Sequence, residues 1–192
     1  MKSYILFFKP FGVLSQFTSE AGHQSLANFG PFPKDVYAAG RLDVDSEGLL
    51  FLTNDADVNH RLTNSKFEHD RTYFVQVEGI PDDNDLLRLK NGIVIERKLT
   101  KPAIVRKINN KPELPPRNKT IRFRKNIPTS WLEMTLREGR NRQIRKMTAA
   151  VGHPTLRLIR TAITFLSVRG LKPGEHRQLT TDEVQKLQSL LH

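Results

Sequence analysis

The sequence predicts an α+β fold with a mixed, mainly antiparallel central sheet in two lobes flanked by short helices. Many short segments alternate apolar and polar residues with the period of a strand. Four or five helical segments lie between them, and their order is too irregular for a repeating βαβ array. A chain of 192 residues is long enough for one sizeable core or two small lobes that share a sheet. We therefore expect one folded domain over residues 1–192, without internal repeats.

The first half of the chain contains three predicted strands and two predicted helices. The strands are "SYILFF" (3–8), "GLLFLTND" (48–55) and "RTYFVQVEG" (71–79), with one short helical turn near Leu26. A helix is expected to begin with Asn54 as its N-cap and Asp57 in its first turn. The second helix, "DDNDLLRLKNG", has acidic residues at its start and ends at Gly92.

The second half is predicted to be richer in strands. Residues 92–125 are expected to form strands with connections, and their Pro-rich part, "NNKPELPPRNK", is a loop. "TSWLEMTLREG" alternates as a strand, "RNRQIRKMTAAVGH" predicts a helix from about Asn141 to Gly152, and "TLRLIRTAITFLSVRGL" contains further strands. The final helix is capped by Thr180 or Thr181, and its expected buried stripe is Val184, Leu187, Leu190 and Leu191.

The overall charge favours a polyanionic partner. The formal net charge is +11, and 27% of the residues are charged. Nucleic acid is the first candidate and an anionic membrane the second, while a basic enzyme with a neutral substrate remains an alternative. No apolar run approaches the roughly 20 residues that span a bilayer, and "MKSYILFFKPFG" is too short and interrupted for a signal sequence. We therefore expect a cytoplasmic location.

Three carboxylates stand at alternate positions in "GRLDVDSEGLL", namely Asp43, Asp45 and Glu47. In an extended segment they would share one face, and Arg41, or an arginine from elsewhere in the chain, would keep one of them ionised. An ionised Asp in a partly dry site can act as a nucleophile or base. The alternative is a turn in which Asp and Ser bond to their own backbone.

A second group of functional candidates is "REGRNRQIRKM", which starts an arginine-rich stretch. Residues 137–160 contain seven Lys or Arg and one acid, Glu138. Arginine side chains and the backbone N–H groups at a helix start together suit a phosphate. A solvated helix face is the alternative, although it would more often use Lys and Glu.

The sequence lacks the residues that several other kinds of functional site require. The chain has no Cys, and no two of its six His residues are spaced as ligands on one helix face. These facts argue against disulfides, thiolate catalysis and a His- or Cys-based metal site. No Gly-rich phosphate loop is present either. We therefore expect neither a metal nor another cofactor.

The ordered motifs resemble those of the pseudouridine synthases of the ribosomal small-subunit type, a family that modifies ribosomal RNA. "GRLDVDSEGLLFLTND" is similar to the family signature, and "FFKPFGVLSQFT", "RTYFVQVEG", "EGRNRQIRKM" and "GLKPGEHRQLTTDEV" resemble its other motifs in the same order. The resemblance covers nearly the whole chain. It implies the fold of that family, an RNA substrate and an isomerase that needs no cofactor.

The resemblance also implies roles for individual residues. Asp43 matches the catalytic aspartate, Tyr73 the tyrosine that packs against the flipped base, and Arg145 the basic partner of the aspartate, with Arg142 as the second choice for that pairing. The implied base-pocket wall is Ile144 and Leu42. The implied RNA contacts are Arg41, which holds the base out of the stack, and Lys9, Arg71, Arg140, Asn141, Arg142, Gln143 and Lys146.

One feature separates this chain from many family members. It begins directly at the first catalytic motif, so we expect no N-terminal RNA-binding domain of the S4 type. It most resembles a large-subunit branch in which that domain is absent. We expect a monomer that acts on large-subunit rRNA or a ribosomal assembly intermediate. Competing hypotheses are a non-catalytic rRNA-binding assembly factor, a glycosidase using Asp43 with Asp45 or Glu47, and a membrane-surface protein.

Overall fold

The computed structural model describes residues 1–121, 124 and 126–191. The end of the predicted segment 92–125 and the last residue of the final helix lie outside this part. The strands are β1 Tyr4–Lys9, β2 Tyr37–Ala38, β3 Glu47–Thr53, β4 Arg71–Glu78, β5 Val94–Ile95, β6 Lys98–Leu99, β7 Ile104–Ile108, β8 Thr129–Leu136, β9 Thr155–Ile163, β10 Leu166–Ser167 and β11 His176–Gln178. The α-helices are α1 Ala56–Thr63, α2 Asp83–Asn91, α3 Gln143–Ala150 and α4 Thr181–Leu191, and 3₁₀ turns occupy Leu26–Phe29 and Ser65–Phe67.

These elements confirm the predicted α+β class. Contacts divide the chain into two compact units, one of residues Met1–Phe67 and Phe165–His192 and the other of residues Glu68–Thr164. Within each unit the paired strands described here run antiparallel. That the whole chain acts as one catalytic domain stays a prediction. None of the helices in the described residues has the length and apolarity needed to cross a membrane.

The first unit is built on the strand order β11–β1–β3, with β2 on the far side of β3. Every residue of β1 and β3 is buried, which explains why both sequences are apolar along most of their length. One face of this sheet packs against the 3₁₀ turn through a core of Ile5, Phe7, Leu26, Val36, Leu50 and Leu52. This core holds β1 and β3 in place, and β3 is the strand that directly follows the Asp43 segment.

Two details of the helices in the first unit differ from the sequence prediction. The N-cap of α1 is Asp55, which accepts from the Val58 N–H at 3.4 Å. Asn54 instead accepts from the Ser3 N–H at 2.7 Å, so a tertiary contact takes the side chain that was expected to cap. In α4, Thr180 caps as predicted, but Leu190 is 47% exposed and does not belong to the buried stripe.

The second unit is a four-stranded sheet in the order β9–β4–β8–β7. Alternate residues point to one face, where they meet α2 and α3 in a single core. That core contains Val75, Val77, Leu132, Met134, Leu136 and Leu158 from the sheet and Leu89, Ile144, Met147 and Val151 from or next to the helices. The helix α2 ends where predicted, because Gly92 has φ +96° and a Cβ there would lie 2.5 Å from the Thr100 carbonyl oxygen.

A bidentate ion pair in the first unit gives a testable pH dependence. Arg177 binds both carboxylate oxygens of Glu183 at 2.7 and 2.8 Å. Hydrogen bonds from Arg177 lower the pKa of Glu183 from 4.5 to about 2, against a smaller opposing effect of burial. Because the folded-state pKa lies below the unfolded value, this stabilisation is complete above pH 4.5 and is lost as the pH falls towards 2.

We expect Glu183→Gln to lower the free energy of unfolding by about 1–2 kcal/mol near neutral pH, after allowance for solvent screening. Thermal unfolding should shift by about 3–6 °C, and the difference from the native chain should vanish as the pH approaches 2. The exposed Glu113→Gln is the matched control and should change little at either pH. A Glu183→Gln deficit that persists unchanged at low pH would contradict this account.

Candidate active site

Asp43 lies in a tight turn rather than in an extended segment. The Ser46 N–H donates to the Asp43 carbonyl at 3.0 Å, which closes the turn. Asp43 and Asp45 are both half-buried in this turn, whereas Glu47 is the first residue of β3 and is 2% exposed. The three carboxylates therefore have different backbone settings and do not form the shared face that alternation alone suggested.

The turn is held by the loop that follows β1. The Gly12 N–H donates to the Val44 carbonyl at 2.7 Å. The buried Ser15 hydroxyl accepts from the Leu42 N–H at 3.0 Å and donates to the Leu42 carbonyl at 2.8 Å. One serine thus satisfies both backbone groups of the residue just before Asp43. The "FFKPFGVLSQFT" and "GRLDVDSEGLLFLTND" motifs, distant in sequence, are joined here by these hydrogen bonds.

Lys9 belongs to this support and not to an exposed RNA surface. It is fully buried, and its Nζ donates to the Val13 carbonyl at 2.7 Å and to the Pro10 carbonyl at 3.0 Å. A buried ammonium needs such partners, because desolvation without them is costly. We therefore replace the expected RNA contact of Lys9 with a structural role in the loop that holds the Asp43 turn.

We expect Ser15→Ala to lower the free energy of unfolding by about 1–3 kcal/mol, because it leaves the buried Leu42 N–H and carbonyl without a side-chain partner. Activity should fall more steeply than stability, by about 10-fold or more, since the Asp43 turn loses its anchor. Ser189→Ala on exposed α4 removes a comparable hydroxyl and is the control. Chemical denaturation and single-turnover kinetics measure the two effects, and identical behaviour of both variants would exclude the anchoring role.

Arg41 and Leu42 flank the catalytic candidate on its N-terminal side. Arg41 is exposed, as a residue that contacts RNA must be, and Leu42 is 7% exposed. The exposure of Arg41 is compatible with its predicted contact, and the burial of Leu42 is compatible with a wall position. Both roles stay predictions.

Tyr73 lies on the core face of the second unit, near the start of β4. It pairs with Met134 on β8 and with Arg160 on β9, and it packs half-buried against the apolar core. Next to it, β9 carries one additional residue, Thr161, whose hydroxyl donates to the Thr72 carbonyl at 3.2 Å. Such bulges turn a strand locally and are frequent beside active sites. The bulge sets the side-chain direction of Arg160 relative to Tyr73.

Arg160 is a candidate that the sequence reasoning missed. It is 4% exposed although it lies in an otherwise apolar strand, and it is a cross-strand neighbour of Tyr73. Arg71 belongs to the same cluster. Burial lowers the pKa of its guanidinium below the ordinary value, and the charge of Arg160 lowers it further, while Tyr73 acts in the opposite direction. The signal in the sequence was an arginine inside "RLIRTAI", a run that otherwise reads as a buried strand.

The "EGRNRQIRKM" segment, which we call the third motif, is organised by one buried acid, Glu138. Its carboxylate accepts from the Lys101 N–H at 2.8 Å and from the Gln143 side-chain amide at 2.7 Å, and it forms an ion pair with Arg140 at 3.1 Å. Arg140 also donates to the Lys98 carbonyl at 3.1 Å. Glu138 was visible in the sequence as the lone acid of a basic stretch, but spacing did not reveal its role.

Two expected RNA contacts change their interpretation in this network. The Gln143 side chain is 4% exposed. Its amide donates to Glu138, and its carbonyl oxygen accepts a hydrogen bond from the Arg140 N–H at 3.0 Å. The Arg140 guanidinium is directed at Glu138 and at backbone carbonyls. Both side chains therefore shape the start of α3, and their direct contact with RNA stays a prediction.

The remaining residues of the motif lie at the start of α3 or within it. The helix begins at Gln143 rather than near Asn141, since Arg142 has φ +51° and ψ +34° and ends the preceding turn. Arg142 and Asn141 are exposed, and Arg145 is half-buried with Nη1 3.4 Å from the Thr155 carbonyl. Three of the predicted side chains thus remain on or near the surface of this unit.

Lys146 and Ile144 complete this part of α3. Lys146 is half-buried and donates to Glu96 at 2.6 Å, so its charge is partly compensated. Ile144 packs into the core of the second unit, and its place in the base-pocket wall stays a prediction. Across the described ranges, no cluster of three His, Asp or Glu side chains could hold a metal ion.

Comparison with known proteins decides the family. The family model described as RNA pseudouridylate synthase matches residues 3–150, which include the Asp43 turn, Tyr73 and all of α3. The chain belongs to the RNA pseudouridylate synthase family. Pseudouridine synthases are isomerases, so this chain is an enzyme of that class and not a binding module or glycosidase. The resemblance of the ordered motifs is thereby confirmed.

Individual relatives refine this placement within the pseudouridylate synthases. The chain is 51% identical over 175 residues to ribosomal large subunit pseudouridine synthase E of Xanthomonas campestris, covering 90% of this chain and 93% of the relative. It is 38% identical over 188 residues to ribosomal large subunit pseudouridine synthase B of Bacillus subtilis, covering 97% and 72%. These similarities confirm the expected large-subunit branch as the one that the chain resembles.

A solved structure supports the fold of this pseudouridylate synthase. A crystal structure of a pseudouridylate synthase superimposes with a TM-score of 0.80 at 29% sequence identity, covering 97% of this chain and 74% of the other. Near-complete coverage means that the described elements in both units have counterparts in that structure. The α+β architecture predicted from the strand and helix pattern is therefore that of the family.

Proposed function

We propose that this chain converts a uridine of large-subunit ribosomal RNA into pseudouridine. The observation that carries the proposal is its 51% identity, over nine-tenths of its length, to an enzyme named for the large ribosomal subunit. The formal net charge of +11 suits a polyanionic substrate. We also propose that it acts as a monomer in the cytoplasm, where ribosomal RNA is assembled, and that it uses no cofactor.

The reaction conserves all atoms of the nucleotide except for an exchanged hydrogen. The N1–C1′ bond breaks, the base turns, C5 joins C1′, the C5 hydrogen leaves as a proton, and N1 takes up a proton. We propose Asp43 as the reacting carboxylate, attacking C6 of the base or C1′ of the sugar, or serving as the base. Its turn is anchored at Val44 and Leu42, which supports a fixed position for the carboxylate.

We further propose that Arg145 keeps the Asp43 carboxylate ionised, with Arg142 as the second choice. A guanidinium beside a carboxylate lowers its proton affinity and offsets its desolvation. A double-mutant cycle between Asp43 and each arginine distinguishes them, since only the true partner gives a coupling free energy in RNA-binding measurements. Equal, near-zero coupling for both arginines would contradict the pairing.

Reaching the buried target base requires that it leave the RNA stack, which costs a few kcal/mol. We propose that Arg41 occupies the vacated space and that Tyr73 packs against the flipped uracil. The place of Tyr73 beside Arg71 and Arg160 supports this role, because an aromatic face next to guanidinium groups suits a nucleotide.

We expect Tyr73→Ala to lower kcat/KM by about 10–100-fold, since stacking contributes about 1–3 kcal/mol per base. Tyr73→Phe keeps the ring and should stay within about 5-fold of the native chain. Single-turnover isomerisation of an rRNA fragment measures both variants. If Tyr73→Phe lost as much as Tyr73→Ala, the hydroxyl and not the aromatic face would carry the role.

The cellular test of the function is to map pseudouridine in ribosomal RNA with and without this protein. Cells that lack it should have an unmodified uridine in the large-subunit RNA, and the native chain should restore the modification. If the restored pseudouridine lay in small-subunit RNA, the isomerase activity would be supported and the proposed large-subunit substrate would be wrong. An unchanged map would overturn the proposal as a whole.

A further inference from the structure

A groove of about 610 Å³ opens on the second unit, on the face of its sheet opposite Tyr73. Four strands build its floor, because Ile108, Trp131, Gln76 and Arg157 stand opposite one another across β7, β8, β4 and β9. Tyr73 occupies the other face, since it lies three positions before Gln76 on the same strand and an odd offset places two residues on opposite faces. We call this feature the Trp131 groove, and the roles derived so far use none of its residues.

The groove is basic. Lys107, Lys111 and Arg157 line it, and its described lining contains no Asp or Glu. Lys107 and Lys111 are exposed, and neither forms an ion pair with any residue in the described part of the chain. Arg157 is 7% exposed and donates to the Pro115 carbonyl at 2.9 Å, which fixes the Pro-rich loop at the rim. Two exposed cations at the rim of a groove are suited to phosphates.

The floor and walls suit a base or ribose rather than phosphate alone. Trp131 lines the floor with 7% of its surface exposed, and Ile80, Ile108 and Ile121 add apolar surface. The polar groups of the floor are already held in place, since Gln76 donates to the Thr129 hydroxyl at 3.1 Å and Ser130 to the Gly79 carbonyl at 2.8 Å. A volume of this size is typical of pockets that enclose a small organic ligand. A duplex cannot insert its bases into such a groove, whereas an unpaired nucleotide can.

We propose that the Trp131 groove binds a single-stranded segment of the RNA substrate at a distance from the reacting uridine. Lys107 and Lys111 contact its phosphates, and an unstacked base enters beside Trp131. This inference rests on the proposed function for the identity of the RNA. It gives the basic segment around the Pro-rich loop a role in affinity and in the choice of substrate, separate from the chemistry at Asp43.

The chain itself supplies the probe, because Trp131 is its only tryptophan. Titrating the native protein with an unmodified large-subunit rRNA fragment should change the Trp131 emission and protect it from acrylamide quenching. A single-stranded oligouridylate should give the same change at higher concentration, and a blunt duplex of equal charge should not. Saturating RNA binding without any change in Trp131 emission or quenching would overturn the proposal.

Charge reversal tests the two lysines with a matched control. K107E/K111E should weaken binding of the rRNA fragment by about 10-fold or more, and the slope of log K against log salt should fall by about 1.4, or 0.7 per single-strand phosphate contact. K34E/K90E changes the net charge equally at exposed lysines outside the groove and should weaken binding by less than about 3-fold. If both variants lost the same RNA affinity, the loss would reflect net charge alone and would contradict binding in the Trp131 groove.

The same variants separate this inference from the proposed function. K107E/K111E should raise KM for the rRNA fragment and leave the single-turnover rate at saturating RNA unchanged. A native chain that binds RNA in the groove but isomerises no uridine would contradict the proposed function alone. A fully active chain whose KM is insensitive to K107E/K111E would contradict the groove alone.

Discussion

Asp43→Asn should reduce the single-turnover isomerisation rate by about 10⁴-fold or more, because a neutral amide is neither the nucleophile nor the base that the reaction needs. The substitution changes neither the size of the side chain nor the backbone hydrogen bond that closes its turn. Its thermal unfolding should therefore match that of the native chain within a few degrees. RNA binding should also persist, since the phosphate contacts are made elsewhere.

Asp45→Asn is the control for this prediction, since it removes the same charge from the same turn. We expect it to keep activity within about 10-fold of the native rate, because our proposal gives Asp45 a role in supporting the turn and not in the reaction. The pair is informative because both residues are half-buried in the same turn. An Asp45→Asn variant as inactive as Asp43→Asn would contradict the assignment of the chemistry to Asp43.

Glu138→Gln is expected to have the second-largest effect, on both stability and activity. The Glu138 carboxylate accepts from a backbone N–H, from Gln143 and from Arg140, and it is 8% exposed. A glutamine here would place its NH₂ group next to groups that are themselves hydrogen-bond donors. It would also leave the largely buried Arg140 guanidinium without a compensating negative charge. We expect a loss of about 2–3 kcal/mol in the free energy of unfolding and a decrease of about 5–10 °C in Tm.

The activity of Glu138→Gln should fall by about 10²-fold, since the start of α3 sets the positions of Arg142 and Arg145. Glu133→Gln is the control in the same unit, because among the described residues Glu133 forms its ion pair with the well-exposed Arg106. It should change neither Tm nor kcat/KM appreciably. If the two variants behaved alike, Glu138 would not organise the third motif.

The regular elements of this fold could be predicted where burial alone determines the pattern. β3 is buried on both faces and appears as an apolar run, and β4 and β8 alternate because one face meets the core. The helix α2 carries its own start and stop residues, Asp82 and Gly92. Helix boundaries were less predictable where tertiary contacts compete for a side chain, as at Asn54, which binds Ser3 and leaves the cap to Asp55.

The candidate site could be predicted as a set of residues but not as a geometry. The order of the motifs indicated Asp43, Tyr73 and Arg145, whereas no local pattern indicated that Lys9 would be buried against the carbonyls of the following turn. Polar residues that stabilise the protein and polar residues that bind a ligand are of the same amino-acid types, so sequence alone does not distinguish them. Only the partners of Glu138, Gln143 and Arg140 show which kind they are. Arg160 was missed because its role depends on cross-strand register.

The most direct test of the central claim is tritium release from ribosomal RNA labelled at uracil C5, with RNA from cells that lack this protein as substrate. Formation of the C5–C1′ bond must expel the C5 hydrogen, so the native chain should release one tritium per modified site and Asp43→Asn should release none. Assembly intermediates serve as a second substrate in the same assay. Tight RNA binding without release from either substrate would contradict the claim that this chain isomerises uridine in ribosomal RNA.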